Sequence, residues 1–180
     1  MLRMEPQHLT LDELNAGLDR VLRSPRDGGT VEMLVLRPSE NARITPEKVD
    51  VSGELGVHGD RWSTGQAEMP DIQIAIVNSR LLDLVAGSRD RWPLAGDNIV
   101  ADLDITTDNL VPGQKLETGS AILEITEVPH EGCKKFASRF GADALRFVNV
   151  GRGKDMRLRG IYARVVQPGT IAVGDRLNKL

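Results

Sequence analysis

From residue 96 onward the chain is cut into short β-rich runs by turn residues at close intervals, and this spacing constrains the fold more than any other feature. Asn98 to Ala101, Lys115 to Leu116, Ala121 to Val128, Gly160 to Val166 and Thr170 to Val173 read as strands. Pro112-Gly113, Glu117 to Gly119 and Pro168-Gly169 read as the breaks between them. Strands this short and this regularly spaced favour a barrel or folded sheet over a doubly wound parallel sheet. Two short helices interrupt the series, at Lys134 to Phe140 and Asp143 to Val148. Gly151-Arg-Gly-Lys154 lacks an earlier glycine and a following Ser or Thr, so it reads as a solvated hairpin turn and not a phosphate loop.

The N-terminal part has a different texture. Thr10-Leu-Asp-Glu13 has the form of a capping box, and Leu11, Leu14, Leu18, Val21 and Leu22 follow at helical spacing, which predicts a helix ending near Ser24-Pro25. Arg26 to Gly29 is a turn, and Val31 to Leu36 is a strand stopped by Pro38. Asp71 to Val77 is a further strand, and Asn78 caps a helix over Ser79 to Ala86 closed by Gly87. The expected organisation is a helical extension over residues 1–29, an appendage to a mainly β body with short helices (α+β) over residues 30–178.

With 180 residues the chain can bury roughly 70% of its unfolded surface, so it needs no staples. It has one cysteine, hence no internal disulfide. No secretory signal pattern stands at the N-terminus, and the apolar runs are far shorter than the about 20 residues of a membrane span. A cytoplasmic protein with no membrane association is expected. The net charge of −3 hides an asymmetry: residues 130–164 carry nine Lys/Arg against three acids, +6, leaving −9 for the remainder. Such a basic segment suits a small anion or a phosphate-bearing cofactor. Nucleic acid is not expected, because the whole chain is acidic, only six residues are aromatic, and no recognition motif is present.

Cys133 lies in this basic segment, in His130-Glu-Gly-Cys-Lys-Lys135. Pro129 ends the preceding strand, and Phe136 and Phe140, four apart, face the core from the following helix. The cysteine is therefore expected at a strand-to-helix corner, near free backbone N–H groups that stabilise an anion. Lys134, Lys135 and a protonated His130 would add to the field, and Gly132 would keep the sulfur approachable, while Glu131 opposes the effect. The residues alone leave two readings open: a reactive thiol or a small buried hydrophobe. One cysteine and three scattered histidines show no zinc-ligand spacing, and His130 is too close in sequence to act as the base of a protease pair.

Several segments taken together resemble the MOSC domain, named after the C-terminal part of molybdenum cofactor sulfurase and found also in free-standing bacterial proteins. They are Gly56-Val-His-Gly-Asp-Arg-Trp62, Ala95-Gly-Asp-Asn-Ile-Val100, Pro112 to Leu116 with Gly119 to Thr126, Pro129 to Lys134, Arg159 to Thr170, and Val173-Gly-Asp175. They run in family order over roughly residues 30 to 178. Two departures stand out: His130 and Gly132 occupy a turn where the family often has Arg and Pro, and Asp97 stands where it often has Glu.

The resemblance implies a β-barrel-like fold with an N-terminal helix added. It also implies that Cys133 carries sulfur as a persulfide or binds the molybdenum of a pterin cofactor (molybdopterin). Related domains are thought to receive sulfur from a pyridoxal-phosphate desulfurase, so that cofactor would sit on a partner, not on Lys134 or Lys135 of this chain. The expected partners are accordingly a cysteine desulfurase or an electron-donor protein, besides a small-molecule cofactor or substrate. Other members are molybdenum reductases of N-hydroxylated compounds, and a pterin- or anion-binding module with a structural cysteine is the non-enzymatic alternative. Because guanidinium groups grip phosphate bidentately, Arg61, Arg139, Arg157 and Arg159 are candidates for holding the cofactor. Lys134 joins them through its charge, and Asn98, with Asp60, through orientation of groups in the pocket.

Overall fold

The computed structural model describes residues 7–180; the first six residues of the expected N-terminal extension lie outside the described residues. Helix α1 (Leu11–Leu22) starts at a complete capping box, with the Thr10 hydroxyl accepting from the Glu13 N–H and the Glu13 carboxylate accepting from the Thr10 N–H. Strand β1 (Gly29–Leu34) follows, then β2 (Lys48–Ser52), β3 (Gly56–Val57) and the short helix α2 (Trp62–Gly65). Next come β4 (Ile74–Asn78), α3 (Ser79–Ala86) and β5 (Ile99–Asp102). The remaining elements are β6 (Lys115–Thr118), β7 (Ala121–Ile125), α4 (Lys134–Phe140), α5 (Ala142–Asn149), α6 (Arg152–Asp155), β8 (Ile161–Gln167), β9 (Gly169–Ala172) and β10 (Arg176–Lys179).

Seven strands close into a barrel in the order β1-β10-β6-β7-β8-β4-β5, and β3, β2 and β9 form a small separate sheet. Every barrel pairing is antiparallel except β4 with β5, whose parallel register needs the crossover that α3 supplies. The barrel and helices make this the α+β fold expected from the strand spacing. The first strand after residue 70 begins later than its sequence suggests: Pro70–Ile72 coils into one tight helical turn before β4 starts. Gly151 to Lys154 is also not a hairpin. It enters α6, because the Gly153 backbone packs against the Phe147 carbonyl so closely that a side chain there would collide.

Two apolar clusters result from the alternation of β4 and β5. Ile74, Ile76, Ile99 and Ala101 point into the barrel, where they meet Val31, Leu116, Leu123 and Ile161. Val77 and Val100 point outward into a second cluster built by α1, α3, α4 and α5. Strand β4 is thus buried on both faces, which explains its nearly unbroken apolar sequence. Asn78 ties the layers together: its Oδ1 accepts from the Arg80 and Leu81 N–H groups at the start of α3, and its Nδ2 donates to Ser24 Oγ and the Leu103 carbonyl.

Helix α1 is not a loose appendage. Leu14, Leu18 and Val21 are buried in the second cluster beside Leu81, Phe140 and Phe147, and the Leu11 N–H donates to Asp143 of α5. The sequence placed the helix correctly but could not show its docking face. Leu14→Ala should cost roughly 2–5 kcal/mol in a single cooperative transition followed by denaturant unfolding. A separate early transition, or a cost below about 1 kcal/mol, would show that the helix folds independently of the barrel.

Candidate functional site

The segment after β7 leaves the barrel wall and returns along its outer face, and two contacts set its course. Asn149, the last residue of α5, clamps Gly132 in both directions: its Oδ1 accepts from the Gly132 N–H and its Nδ2 donates to the Gly132 carbonyl, each at 2.8 Å. A Cβ on Gly132 would lie 2.7 Å from Leu145 of α5, so this glycine permits packing on α5 and has no part in opening the sulfur to solvent. Cys133 then occupies the N-cap position of α4, its carbonyl accepting from the Ala137 N–H. The corner expected from sequence is present, and the thiol is exposed.

His130 does not contribute the positive charge that the sequence suggested. Its side chain is 7% exposed and lies flat on Tyr162, with ring centroids 4.3 Å apart and planes 4° from parallel. Burial pushes its pKa down, the Arg159 charge pushes it further, and Asp97 only partly restores it. The ring is therefore neutral at pH 7. Its Nε2 sits 2.9 Å from Asp97 Oδ1, so Nε2 carries the proton and donates it to the carboxylate.

Asp97 is the centre of this arrangement. Burial would raise its pKa, but Arg159 and His130 outweigh that and hold it below the usual carboxylate range. Arg159 Nη1 lies 2.9 and 2.8 Å from the two carboxylate oxygens, its Nη2 donates to the Ala95 carbonyl, and its guanidinium lies 5.0 Å over the Phe136 ring. Gly96, at φ +83, makes the turn that delivers Asp97 from the preceding helical turn to β5. A second buried carboxylate, Asp60, receives Arg37 through both Nε and Nη2 at 3.0 and 2.9 Å. Burial again works against ionisation, and the Arg37 bonds and charge together with the Trp62 N–H overcome it.

Between these two pairs lies a cavity of about 140 Å³ that contains Cys133. Arg37, Arg43, Arg61, Arg139, Arg159 and Lys135 all face it. Arg37 and Arg159 are matched by Asp60 and Asp97, and Lys135 pairs with Glu40. Arg43, Arg61 and Arg139 have no carboxylate partner among the described residues; Arg43 and Arg139 are held instead by the carbonyls of Pro93, Ala42 and Leu94. Burial, and after it the charges of Arg139, Arg37 and Arg61, lower the Arg43 pKa. A cavity with three unmatched guanidiniums attracts anions.

That field acts on the sulfur. Partial burial raises the Cys133 pKa, but the backbone N–H groups of Phe136 and Lys135 and the charges of Arg159 and Arg139 outweigh it, and the net shift is downward. The Cys133 side chain makes no capping hydrogen bond, so the two N–H groups favour the thiolate through their dipoles.

Of the residues singled out in the sequence, Cys133, Arg61, Arg139 and Arg159 come together in this cavity. Lys134 is exposed and does not line it, because the first turn of α4 presents Lys135 there instead. Arg157 turns away and donates through Nη2 to the Ile105 carbonyl at 2.7 Å and to the Leu110 carbonyl. Asn98 is buried and fully engaged: Oδ1 accepts from the Ala75 N–H, and Nδ2 donates to the Val35 carbonyl and to Asp60 Oδ2. It orients Asp60, and through it Arg37, without reaching the cavity itself. Sequence reading missed Arg37 and Arg43, which lie far from the cysteine in the chain, and Asn149, one helix further along; none of them stands in a motif. Asp97 was visible in the sequence only inside the matching segment Ala95 to Val100, as an aspartate where the family often has glutamate.

The rate of Cys133 alkylation by iodoacetamide should reach half its maximum below the ordinary thiol value of about 8.5, and Arg139→Gln should move that midpoint upward without harming the fold. A wild-type midpoint at or above the ordinary value would refute the electrostatic account. The buried imidazole predicts a pH effect on stability as well. Its folded pKa is depressed, so its contribution is complete above the unfolded value of about 6.5 and is lost as pH falls below it, where the unfolded chain takes up a proton that the folded ring refuses. Urea unfolding between pH 7.5 and 5 should therefore show stability declining toward acid, with a shallower slope in His130→Gln; equal slopes would show that His130 takes up its proton as readily in the folded protein as in the unfolded chain.

The model of the MOSC domain matches residues 69–178 of the chain. Among curated proteins none matches. Solved structures share the fold: the YuaD protein from Bacillus subtilis has a TM-score of 0.64 and 18% identity, over 84% of this chain and 95% of that one. YiiM from Geobacillus stearothermophilus has a TM-score of 0.58 and 19% identity, over 84% of this chain and 75% of its own. YiiM from Escherichia coli has a TM-score of 0.56 and 17% identity, over 86% and 69%. Among the described residues no helix is long and apolar enough to cross a membrane.

Proposed function

Since the chain belongs to the MOSC domain family, we propose that it works in molybdenum cofactor chemistry, with Cys133 as the protein's thiolate ligand to the metal. The observation that carries this reading is the placement of one exposed, acidified thiol at the mouth of a cavity with three unmatched arginines. A soft thiolate suits a transition metal. Among the described residues no three His, Cys, Asp or Glu side chains gather where they could hold a metal ion. A metal bound at Cys133 must therefore arrive with ligands of its own, as it does in a pterin cofactor. The anionic end of such a cofactor would meet Arg43, Arg61 and Arg139, which have donors to spare, while the N–H groups at the start of α4 and the charge of Arg159 favour the thiolate.

When bound, the cofactor supplies two-electron redox chemistry that no side chain of the cavity can perform. The chain's own contribution is binding and orientation. Asp97 and Asp60 hold Arg159 and Arg37 in place, Asn149 fixes the turn before the cysteine, and the stacked Tyr162 and His130 form part of the cavity wall. The same exposed thiolate suits the second role implied by the family, a persulfide carrier loaded by a partner desulfurase, and the two readings separate experimentally.

Protein produced in a host that makes the cofactor should contain close to one molybdenum and one pterin per chain, with both lost in Cys133→Ser and reduced in the Arg43→Gln, Arg61→Gln double variant. Molybdenum absent from wild type, together with a persulfide on Cys133 after incubation with a desulfurase and cysteine, would replace the ligand role by the carrier role. Absence of both would overturn the proposal.

A further inference from the structure

Strand β8 places the one tyrosine of the chain, Tyr162, in the wall of the cysteine cavity. Its neighbours Ile161 and Ala163 are buried in the barrel core, so alternation turns Tyr162 to the outer face, opposite Ala75 in the β4–β8 pairing. Ala75 lines the same cavity, and its short side chain takes up little of the space there. The flat stack on His130 covers one face of the phenol ring. His130 also lines a second, mostly apolar cavity of about 350 Å³ with Val128, Pro129, Val148 and Ile161. The imidazole is thus a partition, and of the two cavities Tyr162 borders only the one that contains Cys133.

The polar groups around Tyr162 are committed to one another. Arg37 is bound to Asp60, Arg159 to Asp97 and the Ala95 carbonyl, and His130 Nε2 to Asp97. Tyr162 itself uses only its backbone, whose carbonyl accepts from Thr126. Among the described residues its hydroxyl has no hydrogen-bond partner, and it is not one of the sealed unpartnered atoms, so it stays open to an occupant of the cavity. The charges that act most strongly on it are those of Asp97, Arg159, Arg37 and Cys133, the groups that build this cavity. Burial first, and then Asp97, raise its pKa, so the phenol is un-ionised at pH 7 and able to donate.

A cavity of about 140 Å³ holds one small group, roughly the bulk of a benzene ring, so an anion drawn beside Cys133 by the arginines also meets Tyr162. A further guanidinium in this wall would be repelled by the five already there, whereas a phenol adds a directed donor without adding charge. Tyr162 is also the sole hydroxyl among the residues that line the cavity. We propose that the Tyr162 hydroxyl is a ligand-binding group, donating a hydrogen bond to an oxygen of the oxyanion that the arginines hold beside Cys133. The guanidiniums draw the anion in, and the hydroxyl, fixed by β8 and the His130 stack, sets how it is turned. This role rests on the reading of the cavity as an anion site; the oxyanion is either free or the phosphate of the cofactor.

The probe is inorganic phosphate, titrated into full-length protein labelled at the tyrosine Cζ and followed by NMR, where the sole tyrosine gives one signal. A saturable shift of that signal is expected, with the same midpoint as the slowing of Cys133 alkylation by iodoacetamide. Tyr162→Phe keeps the ring and its stack on His130, so its thermal midpoint should be unchanged, while phosphate should bind about tenfold more weakly, as befits one lost hydrogen bond to an anion. Equal phosphate affinity in Tyr162→Phe, a tyrosine signal that stays in place while phosphate protects Cys133, or weaker binding accompanied by a lowered thermal midpoint would each overturn the role of the hydroxyl and leave the arginine site standing. Absence of both shift and protection would overturn the anion site with it, and the molybdenum content of wild type still tests the metal separately. In protein from a cofactor-producing host, reduced pterin in Tyr162→Phe assigns the oxyanion to the cofactor; full pterin beside weakened phosphate binding assigns it to a free anion.

Discussion

A single buried carboxylate organises one end of this molecule. Asp97 is fully enclosed and accepts from Arg159 and His130 at the same time, two groups on separate segments of chain. Removing one member of such a buried set typically costs roughly 3–5 kcal/mol, because the remaining charge is stranded. The loop before β5, the turn entering β8 and the segment bearing Cys133 are therefore held to one another by electrostatics, not by the barrel's backbone ladder. Arg159 is placed where it meets both the Phe136 ring and the field at the sulfur.

The neutral state of His130 follows from the same arrangement. A histidine in contact with a carboxylate usually gains a proton, yet here Arg159 already supplies the carboxylate with its counter-charge, and burial removes the water that a second cation would need. The imidazole thus acts as a dipole and a flat spacer stacked on Tyr162. It also forms part of the wall of both cavities, so the cysteine loop has a charged, arginine-rich face on one side and an apolar cleft on the other. An acidic chain carries this basic site because the fold brings Arg37, Arg43 and Arg61 from the N-terminal half beside Lys135, Arg139 and Arg159 of the basic segment 130–164.

The strands from residue 98 to 173 were legible because each is bounded by Pro or Gly and carries its own β-rich pattern, and α1 and α3 because their caps are written in the sequence. Strands β2, β3 and β10 were not, since β2 and β10 are short and polar on one face, β3 has only two residues, and all three are defined by the strands they pair with. Of the site, the cysteine corner could be read because proline, glycine and a phenylalanine pair four apart mark it locally. Arg157 and Arg159, two residues apart, looked equivalent in sequence; a left-handed backbone at Arg157 sends one guanidinium to the carbonyls of Ile105 and Leu110 and leaves the other to Asp97.

The sequence by itself determined the kinds of element, the β-barrel character, the position of the sole thiol at a helix start and the concentration of positive charge around it. These depend on residues within a few positions of one another, through caps, turns and periodicity. Only the tertiary structure decided which arginines face the sulfur, that His130 is neutral, that α1 shares the core with α3 and α5, and that a second cavity lies behind the cysteine loop. Each of those rests on contacts between segments tens of residues apart, where burial and opposing charges set the outcome and no local pattern records it.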